Sequence, residues 1–227
     1  MFRYETHLHT SEASACAVST GAEMAKAYKA LGYDGVFVTN HFFNGNTCID
    51  RSLPWEEKVR LFMRGYYNTK AEGDRIGLSV FFGWEYSYLS EGTDLLTYGL
   101  GEDFLLAHPD LCEISAAEYF HLIHENGGFI VHAHPFREAP YITMARLFFD
   151  RVDGVEVINA GNQAEVFNER ARLYATSYSL PQTSGSDSHN AEAIGGCGII
   201  VDEPFTCEHD YFDALTNRKI RALLRKK

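Results

Sequence analysis

The chain has 227 residues, room for one large domain or two small ones, and a single domain over residues 1–227 is the simpler reading. A hydrophobic share of 45%, with 22% charged residues and 6 prolines, excludes disordered, collagen-like and low-complexity classes. The net charge of −11 speaks against duplex nucleic acid or an anionic membrane as partner, no apolar run approaches the ~20 residues of a spanning helix, and the 5 cysteines contain no CxxC pair, so a reduced, cytoplasmic setting is expected.

In chain order, residues 3–9 read as a strand and 20–31 as a helix opened by a capping box of Thr20 and Glu23, with Met24, Tyr28 and Leu31 as its apolar stripe. Gly32 stops that helix, and the β-branched and aromatic run 33–41 predicts a second strand. A longer helix is expected over 54–74 and a third strand over 78–88. Ser115 and Glu118 form a second capping box, whose helix ends at Gly127 and Gly128 and releases a strand over 129–136. Then come a short helix at 144–150, a strand at 154–160, a helix at 164–178 and a brief strand at 182–186. A last strand, 196–203, precedes a closing helix over 210–224, whose basic end RKIRALLRKK reads as a solvated face. Loops at 42–54 and 90–111 are expected to set specificity. Strands separated by helices imply an α/β fold with a largely parallel sheet, and six or seven such units in one domain favour a small barrel.

His7 and His9 stand two apart, a spacing that on a strand projects both imidazoles from one face. His132 with His134 and Asp187 with His189 repeat it. One such pair is ambiguous, since a strand histidine is more often a satisfied polar residue than a ligand. Convergence changes the balance: these pairs, His41 and Glu85 all fall near carboxyl ends of expected strands, where parallel α/β folds build their sites. Burying that many titratable groups in one mouth is costly unless cations compensate them.

The order HxH, a strand-end His, Gly-x-Glu, the His134-Pro135 dipeptide and D-x-H resembles the PHP (polymerase and histidinol phosphatase) superfamily, from His7 to His189. The resemblance implies a distorted (β/α)7 TIM-like barrel with two or three divalent metal ions (Zn, Mn or Fe) and hydrolysis of a small phosphorylated substrate, a phosphomonoester or a short oligonucleotide. It implies that His7, His9 and Asp187 bind a first metal, that Glu85 bridges it to a second bound by His134, and that His41 and His189 bind a third. Glu85, Asp187 and His189 would then be the catalytic residues, His189 or a neighbour serving as general acid. A metal-bridging water of lowered pKa would attack phosphorus in line.

Departures from the family pattern carry information. Asn40 stands where an aspartate is common, and Asp94 stands where a histidine often follows the bridging glutamate, as a harder ligand or a hydrogen-bond partner. Near the third metal the chain offers Glu12 and Cys16; the thiol reads either as a ligand or, slightly preferred, as a small buried hydrophobe. His132 is a direct ligand or a donor that orients one. Arg137 is expected to hold a non-bridging phosphate oxygen, and Asn159 to contact substrate. Two other readings remain. An amidohydrolase-like barrel also begins HxH but often uses a strand lysine, whereas the seven lysines here fall in expected helices or the tail. A non-catalytic, metal-stabilised module binding a phosphorylated ligand or a protein is the other.

Overall fold

The computed structural model describes residues 1–88 and 93–225. Its elements in chain order are β1 (Phe2–Leu8), α1 (Gly21–Ala30), β2 (Gly35–Val38), α2 (Trp55–Ile76), β3 (Ser79–Tyr88), β4 (Thr93–Tyr98), α3 (Glu102–Ala107) and α4 (Ala116–Glu125). They continue as β5 (Phe129–His132), β6 (Gly154–Asn159), α5 (Glu165–Ser177), β7 (Gln182–Gly185), β8 (Gly198–Val201), α6 (Glu208–Thr216) and β9 (Ala222–Leu224). Both capping boxes form: Thr20 and Ser115 accept from the backbone N–H of Glu23 and Glu118, whose carboxylates accept from the cap N–H in return.

The strands lie in the order β7-β6-β5-β4-β3-β2-β1-β8-β9. β1, β2 and β3 are parallel, as are β5, β6 and β7, and β4 runs antiparallel between the two groups. The chain leaving β7, at one end of this order, comes back to β1: Asp187 N–H donates to the His7 carbonyl and His9 N–H to that of Ser188, both at 2.9 Å. Seven strands thus wrap into a distorted TIM-like barrel. Closure demands glycine at 185, because a Cβ there would lie 2.5 Å from that of His7 and 2.4 Å from Glu156 Oε1. Tyr4, Phe37, Phe81, Tyr98, Phe129 and Tyr211 form one buried aromatic cluster that fills the barrel. Glycine at 77, with φ 73°, ends α2 in the left-handed conformation.

A shift in register between Glu5 and Leu8 marks a β-bulge in β1. It changes the phase of the side-chain alternation: Tyr4 belongs to the aromatic filling, Leu8 packs with Met24 and Tyr28 of α1, and His7 and His9 turn into the mouth.

Four expectations differ from the structure. Residues 93–98, within the expected loop 90–111, are a fully buried strand, and 90–92 lie outside the described residues. The short helix at 144–150 is absent; Met144, Leu147 and Phe149 are exposed, so no packed face offsets the cost of nucleating a helix. Residues 133–136 leave the strand after His132. The closing helix stops at Thr216, Arg218 reverses the chain at φ 56°, and β9 pairs antiparallel with β8. The basic tail is therefore no helix end. Its Lys219, Arg221 and Arg225 pair with Asp213, Asp202 and Glu165 on the surface, while Lys226 and Lys227 lie outside the described residues. Among the described residues no helix is long and apolar enough to cross a membrane.

Candidate metal centre

Parallel strands of a barrel end on one rim, and most of the chemistry sits there. His7 and His9 close β1, His41 follows β2, Glu85 lies in β3, His134 follows β5, and Asp187 and His189 follow β7. Because β4 is antiparallel, it is its first turn of residues that reaches this rim, which places Asp94 opposite Ser87.

Glu85, 1% exposed, is the hub. Its Oε1 lies 3.0 Å from His134 Nε2 and 3.3 Å from His7 Nε2; its Oε2 lies 2.7 Å from His41 Nδ1 and 3.4 Å from His9 Nε2. Asp187 Oδ1 adds contacts of 3.2 Å to His9 Nε2 and 3.4 Å to His7 Nε2. Donor atoms fall within 4.8 Å of one another in four sets: His7, His9, Glu85; Glu85, Asp94, His134; His9, His41, His189; and His7, His134, Glu156.

The hydrogen-bond shell fixes which nitrogen of each imidazole is bare. His7 Nδ1–H donates to Glu156 Oε1 at 3.1 Å. Ser14 Oγ donates to Asn40 Oδ1, so it accepts from His9 Nδ1–H at 3.1 Å. The two Nε2 atoms then face each other at 3.1 Å, where a cation can take the place of the proton that the surrounding carboxylates hold on His7. Glu85 Oε2 and His41 Nδ1, 2.7 Å apart but out of line for a hydrogen bond, and His134 Nδ1 are buried without one. The residues present therefore fit divalent cations. Glu156 is otherwise spent, since Oε2 accepts from His134 N–H at 3.1 Å and Asn159 Nδ2–H at 2.8 Å, and it orients ligands instead of adding one.

The charges are interlocked. Burial disfavours a charged His7, but Asp187, Glu156 and Glu85 outweigh it and raise its pKa well above the usual value. His9 is driven well below it by burial and by His189 and His41. Burial opposes ionisation of Glu85 and Asp187, yet His41 and His7 hold Glu85, and His7 and Arg137 hold Asp187, well below the carboxylate range. Asp94 moves up, through burial and the charge of Glu85. Cation uptake must displace the His7 proton and weakens as pH falls. His134 and Asp187 sit at φ 27° and 52°, backbone strain of order 1–3 kcal/mol each that fixes their aim.

The remaining sequence candidates divide. Arg137 lines a cavity of about 550 Å³ above the cluster, with Arg51 and Tyr141 also on its wall. Its Nη2 donates to Asp187 Oδ2 at 2.6 Å and Asn159 Oδ1 at 2.8 Å. Asn159 is buried and engaged at both ends, by Arg137 and the Gly161 N–H on one side and Glu156 on the other, so it braces Arg137 where a substrate contact was expected. Glu12 points away, accepting from the Gly21 N–H and Asn68 at 3.0 Å, and joins none of the donor sets. His132 does not share a face with His134, because β5 ends at His132 and the backbone turns at His134. It packs against Phe148 and Tyr174, and burial with the His134 charge pushes it down to about 3. Asn40 acts on His9 through Ser14. Cys16 is exposed on the cavity rim and not a buried hydrophobe; burial raises its thiol, but bonds to His189 and His41 outweigh this and bring it to about 6. Sequence reading missed Ser14, which carries no motif, and gave Glu156 no role, although an acid in a continuously buried strand is itself a signal.

Beneath His7, the buried Glu5 accepts from the His7 N–H, the Ser186 N–H and Tyr28 Oη–H. Burial pushes its carboxyl from 4.5 up to about 7 despite these bonds. A raised folded-state pKa contributes stability that is complete below pH ~4.5 and is lost as pH rises through ~7, on the order of 3 kcal/mol. Glu5→Gln does not titrate. Urea unfolding in chelator should therefore show the variant gaining on wild type by about that amount between pH 4.5 and 8; a difference independent of pH contradicts it.

Comparison with solved structures agrees with this geometry. The chain superposes on a two-domain protein from Bacteroides vulgatus containing a predicted PHP-like metal-dependent phosphoesterase, with TM-score 0.68 and 14% identity over 96% of this chain. It spans 63% of that protein's length. PsfC from Pseudomonas syringae gives TM-score 0.61 at 21% identity, over 100% of this chain and 90% of that one. Residues 166–220, which include Asp187 and His189, match a family model described as PHP-associated. The chain has a PHP-type fold. The same barrel superposes on an amidohydrolase from Chromobacterium violaceum with bound sulfate and no metal, with TM-score 0.57, 16% identity, and coverage of 99% and 98%. No curated protein matches the chain.

Proposed function

We propose that this PHP-type barrel is a metal-dependent phosphoesterase acting on a small phosphomonoester or a short oligonucleotide. The observation that carries the reading is Glu85, whose two oxygens each face a pair of imidazoles within 3.4 Å. His7, His9, Asp187 and Glu85 would hold one ion, Glu85, Asp94 and His134 a second, and His41 with His189 a third. Bound divalent ions supply an acidified water and positive charge for the phosphoryl oxygens.

The chain's own residues do the rest. Glu156 and Ser14 hold the Nδ1 atoms of His7 and His9 and so aim both Nε2 atoms at the centre. Arg137, held flat by Asn159, Asn162 and Asp187, presents a fixed cation on the cavity wall to a phosphate oxygen. The imidazole-rich donor set favours Zn²⁺, Mn²⁺ or Fe²⁺ over an all-oxygen Mg²⁺ or Ca²⁺ cage.

The amidohydrolase-like reading is supported by the Chromobacterium superposition, and weakened because no lysine lines the cavity. Assaying p-nitrophenyl phosphate, its bis-ester, short oligonucleotides and a set of amides with each metal separates the possibilities. Phosphoester turnover that chelation abolishes is expected. Amide turnover alone would overturn the proposal in favour of the second reading, and bound metal with no turnover of any substrate would leave a binding module.

A further inference from the structure

The cavity above the metal centre carries two arginines on its wall, and their surroundings differ. The charge of Arg137 is answered within the protein, since its Nη2 donates to Asp187 Oδ2 at 2.6 Å. Arg51 has no such match. Its Nη2 donates to the neutral carbonyl of Gly45 at 2.8 Å. The adjacent Asp50 is turned away, accepting from the Ser52 N–H at 2.9 Å and Oγ–H at 2.8 Å, and among the described residues no carboxylate pairs with the Arg51 guanidinium. The loop that carries it is built onto the rim. Thr47 Oγ1–H donates to the Ala13 carbonyl at 2.8 Å and Ala15 N–H to the Asn46 carbonyl at 2.9 Å. Gly45 presses so closely on its neighbours that a Cβ there would lie 2.9 Å from Ser87 Oγ and 3.5 Å from the Cβ of His41. Through the Gly45 carbonyl the guanidinium is thus tied to the rim beside His41.

From this pair of arginines we infer that the substrate carries a second anionic group, a carboxylate or a further phosphate, which Arg51 binds while the metal centre and Arg137 take the phosphoester. This rests on the phosphoesterase reading above and deepens it by naming the class of substrate. With one N–H spent on Gly45, the planar guanidinium keeps donors for two oxygens of either oxyanion. A cavity of about 550 Å³ has room for the rest of a small molecule beyond its phosphate. In a chain of net charge −11, an arginine left unmatched on that wall gains an ion pair when the substrate supplies the anion.

The test compares ω-carboxyalkyl and ω-phosphoalkyl phosphates with ω-hydroxyalkyl phosphates of equal chain length, over a range of lengths, on the metal-loaded full chain. At the length that spans the two sites, kcat/KM should favour a doubly anionic ester by roughly 10–100-fold, mostly through KM. Which of the two esters shows the preference tells a carboxylate from a second phosphate. Arg51→Gln should remove the preference, and Arg51→Glu should turn it toward ω-aminoalkyl phosphates, a reversal that a merely structural residue would not produce. Circular dichroism checks that both variants fold. Equal kcat/KM for doubly anionic and hydroxyl esters at every length, a preference that persists in Arg51→Gln, or variants that lower all esters alike overturns the inference and leaves the proposed function standing. No turnover of any ester by the metal-loaded protein overturns the proposed function, and this inference with it.

Discussion

Glu85→Gln is expected to lower kcat/KM for a phosphoester by roughly 10³-fold, about 4 kcal/mol of transition-state stabilisation. The carboxylate faces four imidazole nitrogens, at 2.7 to 3.4 Å, and is the member common to the set with His7 and His9 and the set with Asp94 and His134. An amide of the same shape keeps one acceptor but carries no charge and turns an N–H toward either His7 and His134 or His9 and His41. Two cations then lose their common neutralising ligand. Steady-state kinetics at saturating metal measure this, with Glu12→Gln as the control: its carboxylate caps α1 outside the donor sets, so activity should change less than about twofold. Equal losses in the two variants would mean that Glu85 acts only through the fold.

The second large effect is on stability. Ions that bind the folded centre and not the unfolded chain stabilise by about 2.7 kcal/mol each at a hundredfold excess over Kd. For a chain of this size that is a rise in Tm of about 5–11 °C per ion. Differential scanning fluorimetry with Zn²⁺ or Mn²⁺, against chelator, should show the rise in wild type and its loss in Asp187→Ala. A shift below about 2 °C at saturating metal contradicts a preformed centre.

How much could be read in advance follows from where the information lies. The capping boxes at Thr20 and Ser115 and the β-rich runs around Val36, Phe82 and Val157 are local signals, and those elements formed where expected. β4 was hidden because its run, with Asp94 beside Leu95 and Leu96, has no period of two and is buried on both faces by tertiary packing. β9 is decided by an edge of β8 that only the folded chain presents. The same division runs through the site. Histidine spacing, strand-end position and the family resemblance together pointed to His7, His9, His41, His134 and His189, but a shared face for His132 and His134 assumed a strand that in fact ends two residues before His134. Glu12 and Cys16 lie in one loop, and what separates them is which side of that loop faces α1 and which faces the cavity. Asn159 was expected to contact substrate, and its bonds to Arg137 and Glu156 depend on a residue 22 positions away.

The account turns on cations gathered around one carboxylate, and anomalous diffraction from crystals soaked in Mn²⁺ and Zn²⁺ measures that directly. It predicts two or three peaks clustered about Glu85, each within coordination distance of at least two of His7, His9, His41, Asp94, His134, Asp187 and His189. Peaks confined to surface carboxylates, with Glu85 still in contact with His41 and His134 alone, would contradict it.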